Sequence, residues 1–360
     1  MSLRLIGLAA LFAAGTALAQ EKVVNVYNWN DYIDPKVLED FTRETGIKVV
    51  YDTYDNNEIV ETKMLTGKSG YDLVVPSGPF LQRMVAAGVF EKLDRSKLPH
   101  AKNLWPEIAE KLKAYDPGNL HAINYMWGTT GIGINVDKVK ERLGDLPLNS
   151  WDLLLKPQVV EKLKDCGVYM LDAPEDVFPG VLRYLGLAPN SKKPEDIVKA
   201  ADHLMKVRTV VRKFHSSEYI NALAAGDICI ALGYSGDVLQ AKRRAEEAKN
   251  GVRIDYVIPR EGALMWFDSF VMPTDAPNKD NAYAFLDFMM RPDVAARNTD
   301  MVSYASGNLA AKTEISKDIL NNPSIYPDAA TFGRLFTNTA YDDRVQKVVT
   351  RQWTRVKTGK

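Results

Sequence analysis

The apolar positions of this chain follow two periods in alternation. "KVVNVYN" (residues 22–28) is a short β-branched run bounded by polar residues, the pattern of a strand. Asp34-Pro35 then supplies a helix cap followed by proline at the first helical position. Val37, Leu38 and Phe41 make one buried stripe, and Gly46 closes the element. "IKVVYDTY" predicts the next strand, residues 57–66 a second helix stopped by Gly67, and "YDLVVPS" a third strand. A further helix passes through Leu81, Met84 and Val85 and ends at Gly88. This β-α-β-α-β order predicts a mostly parallel sheet covered by helices. On such sheets ligands gather at the carboxyl ends of the strands, and Trp29 to Tyr32 and Ser77 occupy those ends.

Around "AINYMWGTTGIGINVDKV" the pattern changes. Gly128, Gly131 and Gly133 interrupt β-rich runs and mark a crossing into a second lobe. There the alternation returns, with "GVYMLDAPEDVF", a helix near 177–185, a long helix over 194–206, and "SSEYINALAAGDICIALGYSGD". "RRAEEAKNG" reads as a solvated helix end whose charges need no function. "GVRIDYVIPREGALMWFDSFVMP" returns to strands, and "NKDNAYAFLDFMMRPDVAARNT" is amphipathic and helical. No repeat, low-complexity stretch or proline-rich linker separates the halves, so the chain is expected to weave between two lobes more than once. The expected division is 1–19 as an export signal, 20–128 with 253–300 as one lobe, and 129–252 with 301–360 as the other.

Length and composition agree with this picture. A chain of 360 residues exceeds one ordinary core. Its 46% apolar and 26% charged residues are the balance of a soluble globular protein. Lys plus Arg and Asp plus Glu each number 46, and a neutral chain without a basic patch argues against nucleic acid as a partner. The first residues carry Arg4, an apolar run from Leu5 and then Ala17-Leu18-Ala19, a secretory signal with cleavage expected after Ala19. No cysteine follows that site, which argues against a lipoprotein anchor, and no later run predicts a membrane span. In an oxidising compartment Cys166 and Cys229 can bridge, each lying beside a predicted strand; two buried free thiols are the alternative. Two cysteines do not make a zinc site, and His100, His121, His203 and His215 lack metal-ligand spacing.

Enzyme and cofactor motifs fail on inspection. Gly131-x-Gly133 has Val136 where the third glycine of a dinucleotide fingerprint belongs. "GYSGD" is one residue short of a nucleophile elbow, and no phosphate-binding Gly-Lys-Ser/Thr loop occurs. No cofactor is implied; a secreted carboxylate hydrolase stays as the enzyme alternative.

What recurs instead is an acid beside an aromatic or a tight turn at four strand ends. These are Trp29-Asn30-Asp31-Tyr32, Glu175-Asp176-Val177-Phe178, Tyr234-Ser235-Gly236-Asp237 and Trp266-Phe267-Asp268. Singly, each has a structural explanation: Asp31 or Asp237 as a cap, Trp266 and Phe267 as core. Together they predict a cleft for spaced ammonium groups joined by methylenes. Carboxylates replace the hydration of an ammonium, and ring faces add cation–π attraction while enclosing the apolar spacers. Several acids in an empty cleft repel one another, so ligand-driven closure about a hinge is expected.

"YNWNDYI", "TGIKVVYD", "YDLVVPS", "MWGTTGIGINVDKV", "SWDLLLKP", "HSSEYINALAAGDICIALGYSGD", "IPREGA" and "YAFLDFMMRPDV" resemble the bacterial periplasmic putrescine/spermidine-binding proteins that feed ATP-binding-cassette (ABC) importers. The resemblance covers nearly all of the chain after Ala19. It implies a two-lobed α/β periplasmic binding fold of type II, each lobe a mostly parallel sheet flanked by helices, with no catalysis. It also implies a di- or polyamine ligand, inner-membrane permease subunits as partners and a periplasmic location. Binding of another cationic solute is the alternative ligand reading. Nothing in the chain resembles an assembly interface, so a monomer is expected. Carried over by motif, Trp29 and Tyr32 are aromatic walls with Asn30 and Asp31 beside them, and Ser77 is a polar contact. Asp176 is a second-lobe acid. Tyr234 with Asp237, and Trp266 with Asp268, are ring and acid pairs; Tyr304 in "VSYASGN" is a late aromatic. Cys166 and Cys229 match positions that resemble a bridged pair in relatives. Three residues depart from the family pattern. Asn30 replaces a serine or threonine, Asp176 is one methylene shorter than the common glutamate, and Trp266 replaces the phenylalanine of diamine-binding relatives, although some spermidine-preferring relatives have tryptophan there. The preferred amine stays open within the class.

Overall fold

The structure, a computed structural model, describes residues 22–360; the export signal expected over 1–19 lies outside the described residues. Ten strands form one sheet: β1 Val23–Trp29, β2 Lys48–Tyr54, β3 Leu73–Val74, β4 Ala122–Asn135, β5 Val168–Met170, β6 Val211–Phe214, β7 Ile230–Tyr234, β8 Ile254–Val257, β9 Leu264–Val271 and β10 Ala305–Ser306. Their order is β2-β1-β3-β9-β4-β7-β5-β6, with β8 and β10 also pairing to β4.

The two flanks are parallel, β2-β1-β3 on one side and β7-β5-β6 on the other. Between them β9 and β4 run antiparallel to their neighbours. The 14-residue β4 serves both halves. Its first stretch, Ala122 to Thr130, pairs with β9, and Met126 and Trp127 also pair with β10. Its last stretch, Thr130 to Asn135, pairs with β7 and β8. The chain passes from one half to the other along β4, returns into β9, and ends on the second half, where helix Asp343–Thr358 packs on helix Pro194–Val207.

Local chemistry explains the elements that position the cleft. Helix Pro35–Thr45 starts where the Asp34 carboxylate accepts from Lys36 N at 2.9 Å and stops at Gly46, whose φ of 70° is left-handed. Helix Asn57–Thr66 starts with Asn56 accepting from Ile59 N. The third predicted strand is shorter than its apolar run: regular pairing is confined to Leu73–Val74, with a single further bridge from Ser77 to Asp268, because Pro76 and Ser77 turn the chain into helix Gly78–Ala86. The long amphipathic run after residue 278 is two helices, Lys279–Met289 and Pro292–Val302, broken where Pro292 starts the second. In the first half Phe41 packs edge-on against Phe285 at 5.1 Å. In the second, Phe178 meets Trp353 at 5.8 Å, and Trp353 Nε1 donates to Asp172. Cys166 and Cys229 form a disulfide at the amino ends of β5 and β7, so the free-thiol alternative falls. Among the described residues no helix is long and apolar enough to cross a membrane.

Candidate ligand-binding cleft

The carboxyl ends of β1, β2, β7 and the middle of β9 meet around one cavity. Of the residues predicted from the sequence, Trp29, Asn30, Tyr32, Ser77, Asp176, Tyr234, Asp237, Trp266, Asp268 and Tyr304 line it.

The first half contributes rings held by their polar tips. Trp29 ends β1, and its Nε1 donates to the Val75 carbonyl at 2.9 Å. Tyr32 follows the turn and donates its hydroxyl to Asp268 Oδ2 at 2.8 Å. The backbone carbonyl of Tyr32 accepts from Tyr125 Oη at 2.7 Å, which fixes the turn to β4. Ser77 stands just before helix Gly78–Ala86 and donates to Asp268 Oδ1 at 2.6 Å; Asn57 grips Ser77 through both its backbone N–H and its hydroxyl. Asp268 is thus held by two hydroxyls on a central, buried strand.

The second half contributes the other two acids. Asp176 sits in the first turn of helix Pro174–Tyr184, and its Oδ2 accepts from Tyr234 Oη at 2.9 Å. Asp237 sits in the first turn of helix Ser235–Ala248; its Oδ2 accepts from Tyr219 Oη at 2.7 Å and its Oδ1 from Tyr304 Oη at 2.6 Å. Rings connect the acids. Trp266 meets Tyr234 at 5.7 Å and Tyr304 at 5.2 Å, and Tyr304 meets Tyr32 at 5.3 Å, all in steep, edge-type contacts. Two glycines make room for them. A Cβ on Gly128 would lie 2.6 Å from the Trp266 ring, and one on Gly236 would lie 2.5 Å from the Tyr304 ring.

The electrostatics follow from this packing. Burial pushes the carboxyls of Asp176 and Asp268 up to about 7 and that of Asp237 up to about 6. Tyrosine and serine hydroxyls oppose the shift by bonding the charged forms; the acids raise one another, Asp268 acting on Asp176 and Asp237 on Asp268. None of these three carboxylates has a lysine or arginine within ion-pairing distance among the described residues. The cavity therefore has negative charge in deficit of a cation. Among the described residues no cluster of His, Cys, Asp and Glu suits a metal ion.

Two acids from the sequence motifs stand elsewhere. Asp31 adopts a left-handed turn with φ of 53°, and its half-exposed carboxylate pairs with Arg244 of helix Ser235–Ala248 at 3.1 Å. It bridges the two halves beside the cavity and is not among the residues lining it. Glu175, the neighbour of Asp176, turns to Arg83 at 3.3 Å, and Arg83 is also held by Glu61 at 2.6 Å. Tyr54, Asp55, Ser216, Ser217 and Ile220 line the cavity without having been singled out in the sequence. Tyr54-Asp55 carries the same signature as the four chosen segments, a ring and an acid ending a strand. The two serines carry no sequence signal.

Comparison with known proteins places the chain in a family. A family model described as bacterial extracellular solute-binding protein matches residues 36–326. The putrescine-binding periplasmic protein PotF of Escherichia coli strain K12 is 54% identical over 350 residues, covering 97% of this chain and 95% of that relative. The putrescine-binding periplasmic protein SpuD of Pseudomonas aeruginosa strain UCBPP-PA14 is 51% identical over 354 residues, covering 98% of this chain and 96% of that relative. Among solved structures, the spermidine/putrescine ABC transporter substrate-binding protein PotD of Streptococcus pneumoniae strain Canada MDR_19A superposes with a TM-score of 0.77 at 31% identity, covering 94% of this chain and 99% of that one.

Proposed function

The chain belongs to the bacterial extracellular solute-binding proteins and has their two-lobed α/β fold, and from that premise we propose that it is the binding component of an ABC importer for di- or polyamines. The observation that carries this reading is the cation deficit. Asp268 from one half and Asp176 and Asp237 from the other enter one aromatic-walled cavity with only hydroxyl partners at their carboxylates.

An ammonium leaving water is costly to bury unless carboxylates take over its hydration, and ion-to-ion hydrogen bonds are about twice as strong as neutral ones. Faces of Trp29, Tyr32, Tyr234, Trp266 and Tyr304 add roughly 0.5 to 2 kcal/mol each where they meet the cation and cover the methylenes between amines. Asn30 and Ser77 complete the set as polar contacts. Asp31 acts by holding the halves together through Arg244. The ligand clamps the lobes, and the closed form is what a permease in the inner membrane accepts; no bond of the amine is broken. The lobe division at 20–128 with 253–300 and 129–252 with 301–360 belongs to this reading. Within it the second boundary shifts from 253 to 258–263, since Ile254–Val257 pairs with the last stretch of β4 and so goes with the second lobe. Periplasmic location after loss of residues 1–19, and action as a monomer, complete it.

Calorimetric titration of refolded, ligand-stripped protein with putrescine, spermidine, cadaverine and agmatine tests the reading. Saturable one-to-one binding of at least one amine is expected, and silence towards all four defeats it.

A further inference from the structure

The three-carboxylate cluster does not exhaust the cavity. β1 and β2 run parallel and in register, Trp29 opposite Tyr54, so Tyr54-Asp55 extends the same edge as Trp29-Asn30. The two rings stand 4.6 Å apart, and both polar tips are tied to one carbonyl, that of Val75, at 2.9 Å for Trp29 Nε1 and 2.5 Å for Tyr54 Oη. With the tips secured, the faces serve as wall. Beyond them stands Asp55, whose carboxylate has Asn56 Nδ2 at 3.1 Å as a partner and no lysine or arginine within ion-pairing distance among the described residues. The second half lines the same cavity with Ser216, Ser217 and Ile220. Ser216 Oγ is shielded from solvent and finds no hydrogen-bond partner among the described residues.

A carboxylate without a cation and a buried hydroxyl without a partner thus line one cavity from opposite halves. A buried hydroxyl left unbonded is unfavourable, so one lining a cavity is available to a donor that enters it. In the sheet, β2 is three strand spacings from the β9 that carries Asp268, on the order of 14 Å. Taken between strand axes, that spacing leaves room beyond a four-carbon diamine for a longer linear triamine.

We propose that Asp55 and Ser216 form an additional amine subsite, reached along the Trp29–Tyr54 wall, which adapts the cleft to a triamine of the spermidine type. This rests on the amine reading of the cavity and adds to it a length preference and the residues that set it. The third ammonium donates to the Asp55 carboxylate and to Ser216 Oγ, while the methylenes before it lie on the two rings.

The test measures the ratio of spermidine to putrescine affinity by calorimetry on the ligand-stripped full chain. In Asp55→Asn the ratio falls at least tenfold, and in Ser216→Ala about threefold. Asp52→Asn, which removes the same charge from β2 at a carboxylate bonded to Tyr71 outside the cavity, leaves the ratio unchanged. An unchanged ratio in both cavity variants overturns the subsite. So does an equal fall in Asp52→Asn, because the effect is then general charge attraction. A wild-type chain that binds putrescine but not spermidine overturns the subsite and leaves the amine reading standing. A chain that binds neither defeats both.

Discussion

Asp268 shows why the acid and aromatic segments were informative. It lies in the middle of an eight-residue strand buried throughout, where an unpaired carboxylate is unfavourable, yet its two oxygens are met only by the hydroxyls of Tyr32 and Ser77. On the proposed reading an amine is the missing counter-ion. Asp268→Asn is therefore expected to weaken putrescine binding by about 2 kcal/mol or more, because an ammonium is left poorly paired in a site closed to water. Calorimetry of the variant decides it, and unchanged affinity removes Asp268 from the site. The same signature marked Asp31, which stands beside the cavity lining, since sequence gives the residue type but not the direction of a side chain. A left-handed φ at Asp31 sends its carboxylate to Arg244, more than two hundred residues away in the chain. Asp55 was overlooked because its strand reads as ordinary alternation, and only the pairing of β2 with β1 brings it to the cleft.

Elements were legible where local chemistry decides them. The Asp34-Pro35 start, the Gly46 stop and the Asn57–Thr66 helix are set by caps and periodicity within a few residues. The antiparallel pairing of β9 with β4 was not legible, because it joins residues well over a hundred positions apart that have no local marker. The cysteine pair lies between these cases: sequence allowed the bridge, and only the parallel pairing of β5 with β7 brings the two residues together. The bridge spans 63 residues, and closing a loop of that size limits the unfolded chain enough to contribute about 4 kcal/mol of stability. It sits at the amino ends of β5 and β7, whereas Tyr234 at the carboxyl end of β7 faces the cavity. Reduction is thus expected to lower the denaturant midpoint markedly while leaving amine affinity within a factor of two. A reduced protein that unfolds at the same denaturant concentration contradicts the first part, and a large loss of affinity contradicts the second.

At the scale of the molecule, the two halves are joined by charge as well as by strands. Arg83 to Glu175 and Arg244 to Asp31 each cross between them, while among the described residues Asp55 and the three buried acids Asp176, Asp237 and Asp268 line the cavity without a lysine or arginine partner; the last three set the pH response. Their raised pKa values, about 7, 6 and 7, set the sign of two pH effects. An unfolded aspartate titrates near 3.9, so between about pH 4 and 7 these three acids hold more protons in the empty folded protein than in the unfolded chain. Their contribution to stability falls as pH rises through that window, the reverse of an acid already paired with a cation. Ligand binding runs the other way, because an ammonium needs the carboxylates ionised and must displace their protons. Putrescine affinity is accordingly expected to rise at least tenfold from pH 5.5 to 7.5, with net proton release near pH 6 that fades by pH 8. The melting temperature of the empty protein should drop over the same interval while that of the loaded protein does not. Glu175, also raised by burial, titrates beside Arg83, so Glu175→Gln serves as the control that separates bridge from cavity. Proton release measured in buffers of different ionisation enthalpy reads the displaced protons directly. If affinity is flat with pH and no protons leave, the three acids are not the amine's partners, whatever rings surround them.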